Sequence, residues 1–244
     1  MTSLFTRKTF QYFDLAKKNK FRKGWFEKNK DLYEGAVKEP MSLLIREIDE
    51  RFAFKLPGIV ISPRKISRPL RPLAKAKEHG YVKAGAMFFL SEKTTSQFEW
   101  NPGLYLHLGD EKEDNIIGMG LYMPSSRQIK RLRSAFVKDY KVLDRILADR
   151  KFKKYWKKSL ANEKYVRFPK DYSQDDPAAK YLWYKQLFVS RHFKRTEVTS
   201  KAFPELVLNS FEAGIPLLAW IRDSVGIFNR REYEREKLER MAEL

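Results

Sequence analysis

Residues 64–77 carry a set of side chains suited to gripping an anion. Arg64, Lys65, Arg68, Arg71, Lys75 and Lys77 lie there with no Asp or Glu among them. A guanidinium offers paired planar donors that match a phosphate or carboxylate. Arg68 and Arg71 are therefore candidate arms of an anion clamp, with Lys65 and Lys75 beside them. The alternative is structural: the arginines pair with buried carboxylates and pin the segment to a sheet.

A second cluster is Arg150-Lys-Phe-Lys-Lys-Tyr-Trp-Lys-Lys158, with six cations and three aromatics in nine residues. Lys153, Lys154, Lys157 and Lys158 are candidate contacts to backbone phosphates, and exposed rings can stack on bases. On a helix, however, Phe152, Tyr155 and Trp156 fall at i, i+3 and i+4 and share one face. That face is expected to meet the core and leave the lysines in water.

A third candidate is a pocket on a sheet. Tyr105 and His107 alternate with Leu104, Leu106 and Leu108 and so point away from them. Gly118 and Gly120 alternate with Ile117, Met119 and Leu121 and should share that polar face. Strand glycines mark close approach by a ligand or by other backbone. Here they either open a pocket or make room for the Tyr105 and His107 rings.

Other chemistries find no support. The chain has no cysteine, which excludes disulfides, thiolate catalysis and Cys-ligated metal. His79 and His192 have no companion at ligand spacing. Asp110 to Asp114 hold four carboxylates but lack the central Gly and distal Glu of a calcium loop, so they read as a solvated hairpin tip. There is no Gly-x-Gly-x-x-Gly, Walker-type loop or nucleophile elbow. No metal, cofactor or catalytic residue is assigned.

Charge bounds the partner. The protein carries a formal +19, and residues 127–195 hold 21 basic against 7 acidic residues. Such a surplus concentrates polyanions near the surface. With 43% apolar and 14% aromatic residues, the chain can build a core and is not a disordered basic tail. The N-terminus has no apolar signal region, and the apolar run Ile215–Ile221 is too short to span a bilayer. A cytoplasmic protein without membrane contact is expected.

The elements that must position these residues follow from periodicity. Helices are expected over 9–19, from near Gly24, and from Pro40 to about Phe54 with Leu43, Leu44, Ile48 and Phe52 inward. Leu56-Pro57-Gly58 breaks the pattern, Ile59–Ser62 is β-like, and 63–80 reads as irregular. Tyr81–Leu90 reads as a strand, and 104–108 with 117–123 as a hairpin around a polar loop. Ser125 or Ser126 caps a long helix with Ile129, Leu132, Phe136, Tyr140, Leu143 and Leu147 on one face. Asp176-Pro177 starts a helix to about 188, and Val189–Arg195 a returning strand. Residues 201–213 are helical, Gly214 stops them, and Pro216 starts another short helix. The class is α+β, an antiparallel sheet with helices packed against it. One domain is expected over 1–226, with a charged helical extension over 227–244.

Residues 18–34 read Lys-Asn-Lys-Phe-Arg-Lys-Gly-Trp-Phe-Glu-Lys-Asn-Lys-Asp-Leu-Tyr-Glu. With Asn19, Trp25-Phe26 and Tyr33-Glu34 so placed, the chain resembles the mainly bacterial domain-of-unknown-function 2461 family. Gly103 to Leu108, Gly118 to Pro124, the helix opening at Arg127 to Arg133, and Asp175-Asp176-Pro177 are similar too. The resemblance covers roughly residues 5–224. The family signature Arg-x-x-Arg-Asp-x-Arg-Phe, then Asp/Asn-Lys and Tyr, stands here as Lys65-Ile-Ser-Arg68-Pro69-Leu-Arg71-Pro72, then Lys75-Ala-Lys77 and Tyr81. Pro69 replaces the Asp and Pro72 the Phe, so chemistry that needs that Asp is lost here. The resemblance implies a fold and no reaction.

Three functions fit these residues. The first is a basic protein binding nucleic acid or another polyanion without catalysis. The second is an enzyme acting on a phosphate- or carboxylate-bearing small molecule through Arg68 and Arg71. The third is a structural or interaction protein. The first needs its cations on one face, and the second a pocket where Arg68 or Arg71 meets an acid or base. Neither substrate nor oligomeric state is specified.

Overall fold

The computed structural model describes residues 3–93, 100–110, 115–156, 160 and 163–227. Lys157, Lys158, the hairpin loop at 111–114 and the extension from 228 onward lie outside the described residues.

The N-terminal third is helical. α1 (Arg7–Asn19) opens on Thr6, whose hydroxyl accepts from Lys8 N–H, and buries Phe10, Tyr12, Phe13 and Ala16. An N-cap of this kind satisfies one of the first turn's orphan donors. Asn19 Nδ2 donates to Leu15 O and helps close the last turn. Short α2 (Trp25–Lys28) and α3 (Lys30–Tyr33) run through a π turn at Glu34–Lys38 into α4 (Glu39–Phe52). The buried Thr9 hydroxyl donates to Ala36 O inside that π turn and ties α1 to it. Pro40 sits within the first turn of α4, where its missing N–H costs nothing. Leu44, Ile48 and Phe52 point inward as expected. Leu43 does not: it is 40% exposed, and Met41 and Ile45 take the inward positions.

Beyond the break at Leu56-Pro57-Gly58, Val60 N–H donates to Ser91 O without joining the sheet as a strand. The segment expected to be irregular is ordered in two ways. Residues 66–71 run extended along the sheet edge, bridging Ile66 to Phe88 and Leu70 to Val82. Residues Leu73–His79 form α5, which starts after Pro72. Prolines at 69 and 72 hid this helix because they fall before its start.

The sheet is a four-stranded antiparallel meander of β1 (Gly85–Ser91), β2 (Gly103–Gly109), β3 (Ile116–Leu121) and β4 (Leu187–His192). The hairpin has the expected partners, with Leu104 opposite Met119 and Leu106 opposite Ile117. Leu104, Leu106, Leu108, Ile117, Met119, Leu121, Leu187 and Val189 are all buried on one face. Among the described helices, those at Arg150–Trp156 and Phe203–Val225 pack against the sheet, on β4 and β3 respectively.

α6 (Ser126–Ala148) begins with a reciprocal capping box between Ser125 and Gln128. It buries Ile129, Leu132, Phe136 and Leu143. In α7 (Arg150–Trp156), Phe152 and Trp156 are buried, so the aromatics of the basic cluster serve the core. α8 (Ala179–Leu182) is a single turn, shorter than the helix expected to 188. Gln186 and Leu187 are needed by the sheet end, and β4 starts there. α9 (Arg195–Val198) follows.

α10 (Phe203–Val225) is one helix, where a stop at Gly214 and a restart at Pro216 are expected. The glycine has a packing reason. A Cβ at Gly214 would lie 2.4 Å from Met119 Sδ and 3.1 Å from Trp156 Nε1. Its absence lets α10 press onto the sheet and α7. Core residues run from Phe5 to Val225 in one cluster.

Between α7, α10 and the 3-10 turn Ala53–Lys55 that follows α4, Glu212 takes Lys151 at 2.7 Å and Lys55 at 2.9 Å. Lys151, then Lys55, hold its carboxyl down at about 2, against an ordinary 4.5. A carboxylate depressed on folding stabilises the native state above its unfolded pKa. That contribution fades as pH falls toward the folded value. Melting temperature should therefore drop between about pH 4.5 and 2, and Glu212→Gln should make the drop shallower. An unchanged acid limb in a thermal melt of the variant would contradict this.

Candidate functional site

The opposite, outer face of the sheet bears a cationic cavity of about 330 Å³. Its residues come from four places in the chain. Ser67 and Arg71 belong to the extended edge segment. Lys83, Gly85 and Met87 alternate along β1 and its approach, so they share the outer face. His107 stands on β2 opposite Met87. Lys17 and Lys20, at the end of α1, form the wall, with Asp110 at the end of β2.

Backbone bonds lock this arrangement. Ser67 N–H donates to Met87 O at 2.7 Å, and Met87 N–H returns a bond to Ser67 Oγ at 3.2 Å. Arg71 N–H donates to Tyr81 O, and Lys83 N–H to Pro69 O. Lys20 O accepts from Tyr81 N–H at 2.6 Å and Val82 N–H at 3.2 Å. This brings the end of α1 against Gly80, which has φ +85° and whose Cβ would sit 2.8 Å from Lys20 O. Only glycine fits that turn without strain.

Arg71 does part of what each reading of it expects. Its Nη1 donates to Val82 O at 2.7 Å and Gly80 O at 3.3 Å. It pins the segment to carbonyls, not to carboxylates, and its guanidinium still lines the cavity. Lys83 is half-buried. Burial, then the adjacent Arg71 charge, pull its ammonium below the usual lysine range. Among the described residues, Lys17 pairs with Asp110 Oδ2 at 2.7 Å. The lining therefore holds four cations, Lys17, Lys20, Arg71 and Lys83, against one carboxylate. Asp110 is a wall residue with a largely buried side chain, not part of a solvated tip. Its carbonyl also accepts from Arg195, whose guanidinium binds Asp14 at 2.7 and 3.0 Å.

The other sequence candidates separate. Arg68 is exposed and does not line the cavity, so Arg68 and Arg71 do not form a fork. Lys65 is half-buried in the turn at Pro63–Lys65, and Lys75 is exposed on α5. Lys153 and Lys154 are exposed on α7, far along the chain from the cavity lining. Gly118 and Gly120 do not open a pocket beside Tyr105 and His107. A Cβ at Gly118 would lie 2.1 Å from the Phe188 ring. At Gly120 it would lie 2.3 Å from Leu187 O. The glycine under His107 is Gly85, where a Cβ would come within 2.8 Å of Nε2.

Several cations of the basic stretch 127–195 are engaged by other side chains. Lys151 binds Glu212, Lys180 binds Asp144, and Arg195 binds Asp14. Arg133 lies over Tyr165, and Arg191 over Phe193. Lys17, Lys20 and Lys83 were missed: Lys17 and Lys20 stand in the basic run Lys17-Lys-Asn-Lys-Phe-Arg-Lys23, which carries no sign of which of its cations face the sheet, and Lys83 lies outside any basic run. The available signal was the strand period, which carried back from Met87 puts Lys83 on the face of His107.

No group of three or more metal-ligating side chains occurs among the described residues. No described helix is long and apolar enough to cross a membrane. A family model described as "Conserved hypothetical protein (DUF2461)" matches residues 8–220. No curated protein and no solved structure matches the chain.

Proposed function

Because the chain belongs to the domain-of-unknown-function 2461 family, whose description names no reaction, we propose a function from the geometry: the protein binds a phosphate-bearing ligand in the Lys17–Lys20–Arg71–Lys83 cavity. The observation that carries this is the gathering of four cations, with a single carboxylate among them, in the lining of one concave site. Charges gathered like this repel one another, and the Arg71 charge adds to burial, the larger cause, in lowering the Lys83 ammonium. A phosphate relieves that repulsion and accepts charge-assisted hydrogen bonds from several donors at once. His107 and Ser67 stand in the same lining and can add polar contacts. Of the two readings that involve an anion, a bounded pocket favours a defined phosphate over diffuse binding along 127–195.

Pyrophosphate titration by calorimetry tests the proposal. Lys83→Met should weaken binding by about tenfold to a hundredfold, as for loss of a charged hydrogen bond. Lys153→Met with Lys154→Met, on α7, should leave it unchanged. The reverse pattern would move the site to α7 and reject the cavity.

A further inference from the structure

The outer face of the sheet is unusual for a face in water. An antiparallel sheet covered on one side normally turns polar residues to solvent on the other. Here the outward positions from β1 to β4 include Met87, Phe89, Tyr105, His107 and Phe188, with no Asp, Glu, Lys or Arg at any of them. In a chain that is 33% charged, this is a marked local exclusion. Trp100, 51% exposed, adds its ring edge-on to Phe89 at 5.7 Å.

Glycines let these rings lie across the sheet. A Cβ at Gly103 would meet the Phe89 ring at 3.0 Å, and one at Gly118 would meet Phe188 at 2.1 Å. The His107 ring occupies the space over Gly85 in the same way. Each ring leans over a neighbouring strand instead of standing up from its own. Tyr105 closes the row, directly opposite Phe89 and 6.4 Å from His107, which lines the cationic cavity. An aromatic platform thus runs continuously into a cluster of cations.

Resting on the phosphate reading of that cavity, we infer that the platform stacks the bases of a single-stranded nucleic acid whose backbone phosphate sits among Lys17, Lys20, Arg71 and Lys83. Bases stack on aromatic side chains with little regard to sequence, while cations track the backbone. Four strands spaced about 4.8 Å apart leave room for about two or three unstacked bases. A duplex keeps its bases inside and cannot use the rings. The absence of acids on the platform also suits a polyanion.

The test compares three probes by fluorescence anisotropy or calorimetry: an oligothymidylate 8-mer, an abasic 8-mer of equal charge, and pyrophosphate. The thymidylate should bind at least about tenfold more tightly than the abasic strand. Trp100→Ala and Tyr105→Leu should each weaken thymidylate binding by roughly fivefold to a hundredfold and leave pyrophosphate unchanged. Trp100 is exposed, so its removal does not threaten the fold. Equal binding of the two strands, or equal binding of a duplex, would overturn the stacking while pyrophosphate binding upheld the pocket. Self-association that the Trp100 variant abolishes would assign the face to a second copy of the chain and also overturn it. If Lys83→Met changes neither pyrophosphate nor thymidylate binding, both readings fail together.

Discussion

Replacing Glu92 by Ala should cost about 3–5 kcal/mol of stability. Arg222 is 2% exposed on the inward side of α10, and Glu92 follows β1 directly. Arg222 Nε donates to Glu92 Oε1 at 2.8 Å, and its Nη2 donates to the same carboxylate and to Pro57 O. A guanidinium cannot shed its charge within the working pH range. Without Glu92 it would stay buried and lose the carboxylate that takes both its Nε and its Nη2. For a chain of this size the loss corresponds to about 6–20 °C in Tm. The double variant Glu92→Leu with Arg222→Met removes both charges and should recover most of the loss, because it leaves no buried charge unpaired and takes from Pro57 O only one donor. A thermal melt showing less than about 1 kcal/mol of loss for Glu92→Ala would contradict burial of the pair.

Gly120→Ala should be nearly as damaging, by about 2–6 kcal/mol from backbone strain and steric overlap together. Gly120 has φ +125°, a conformation that residues with a Cβ rarely adopt. The added carbon would lie 2.3 Å from Leu187 O and 3.0 Å from Phe188 Cα. Both obstacles are backbone of β4, so no side chain can swing away. The neighbouring Gly118→Ala meets only the tip of the Phe188 ring, which can rotate, and should cost less. Denaturant melts of the two variants check the order, and a reversed order would contradict the assignment of backbone contact at Gly120.

Which parts of this structure the sequence made legible depends on how local their causes are. The α6 face and the β2–β3 pairing were readable because each repeats one period over many residues and starts at a recognisable cap or turn. The inward face of α7 was readable for the same reason: Phe152 and Trp156 obey i, i+4. The continuity of α10 was not, because Gly214 and Pro216 are locally helix-breaking, and the close approach of Met119 and Trp156 that accounts for Gly214 comes from distant elements. The site was half-legible. Arg71 and His107 stood out by type and spacing, and the structure brings both to one cavity. Arg68, three residues from Arg71, did not follow it, because the extended edge segment presents the two side chains differently. Lys17, Lys20, Lys83 and Asp110 join only when α1 docks against the turn at Gly80 and the strands pair.

The central claim is that the cavity between α1 and the outer sheet face holds a phosphate. A crystal soaked in tungstate, an electron-dense phosphate mimic, tests it most directly. The anomalous difference map should show its strongest peak within hydrogen-bond reach of Arg71 and Lys83, with Lys20 alongside, and Lys83→Met should abolish that peak. A cavity without a peak, with density instead beside Lys153 and Lys154 on α7, would contradict the account.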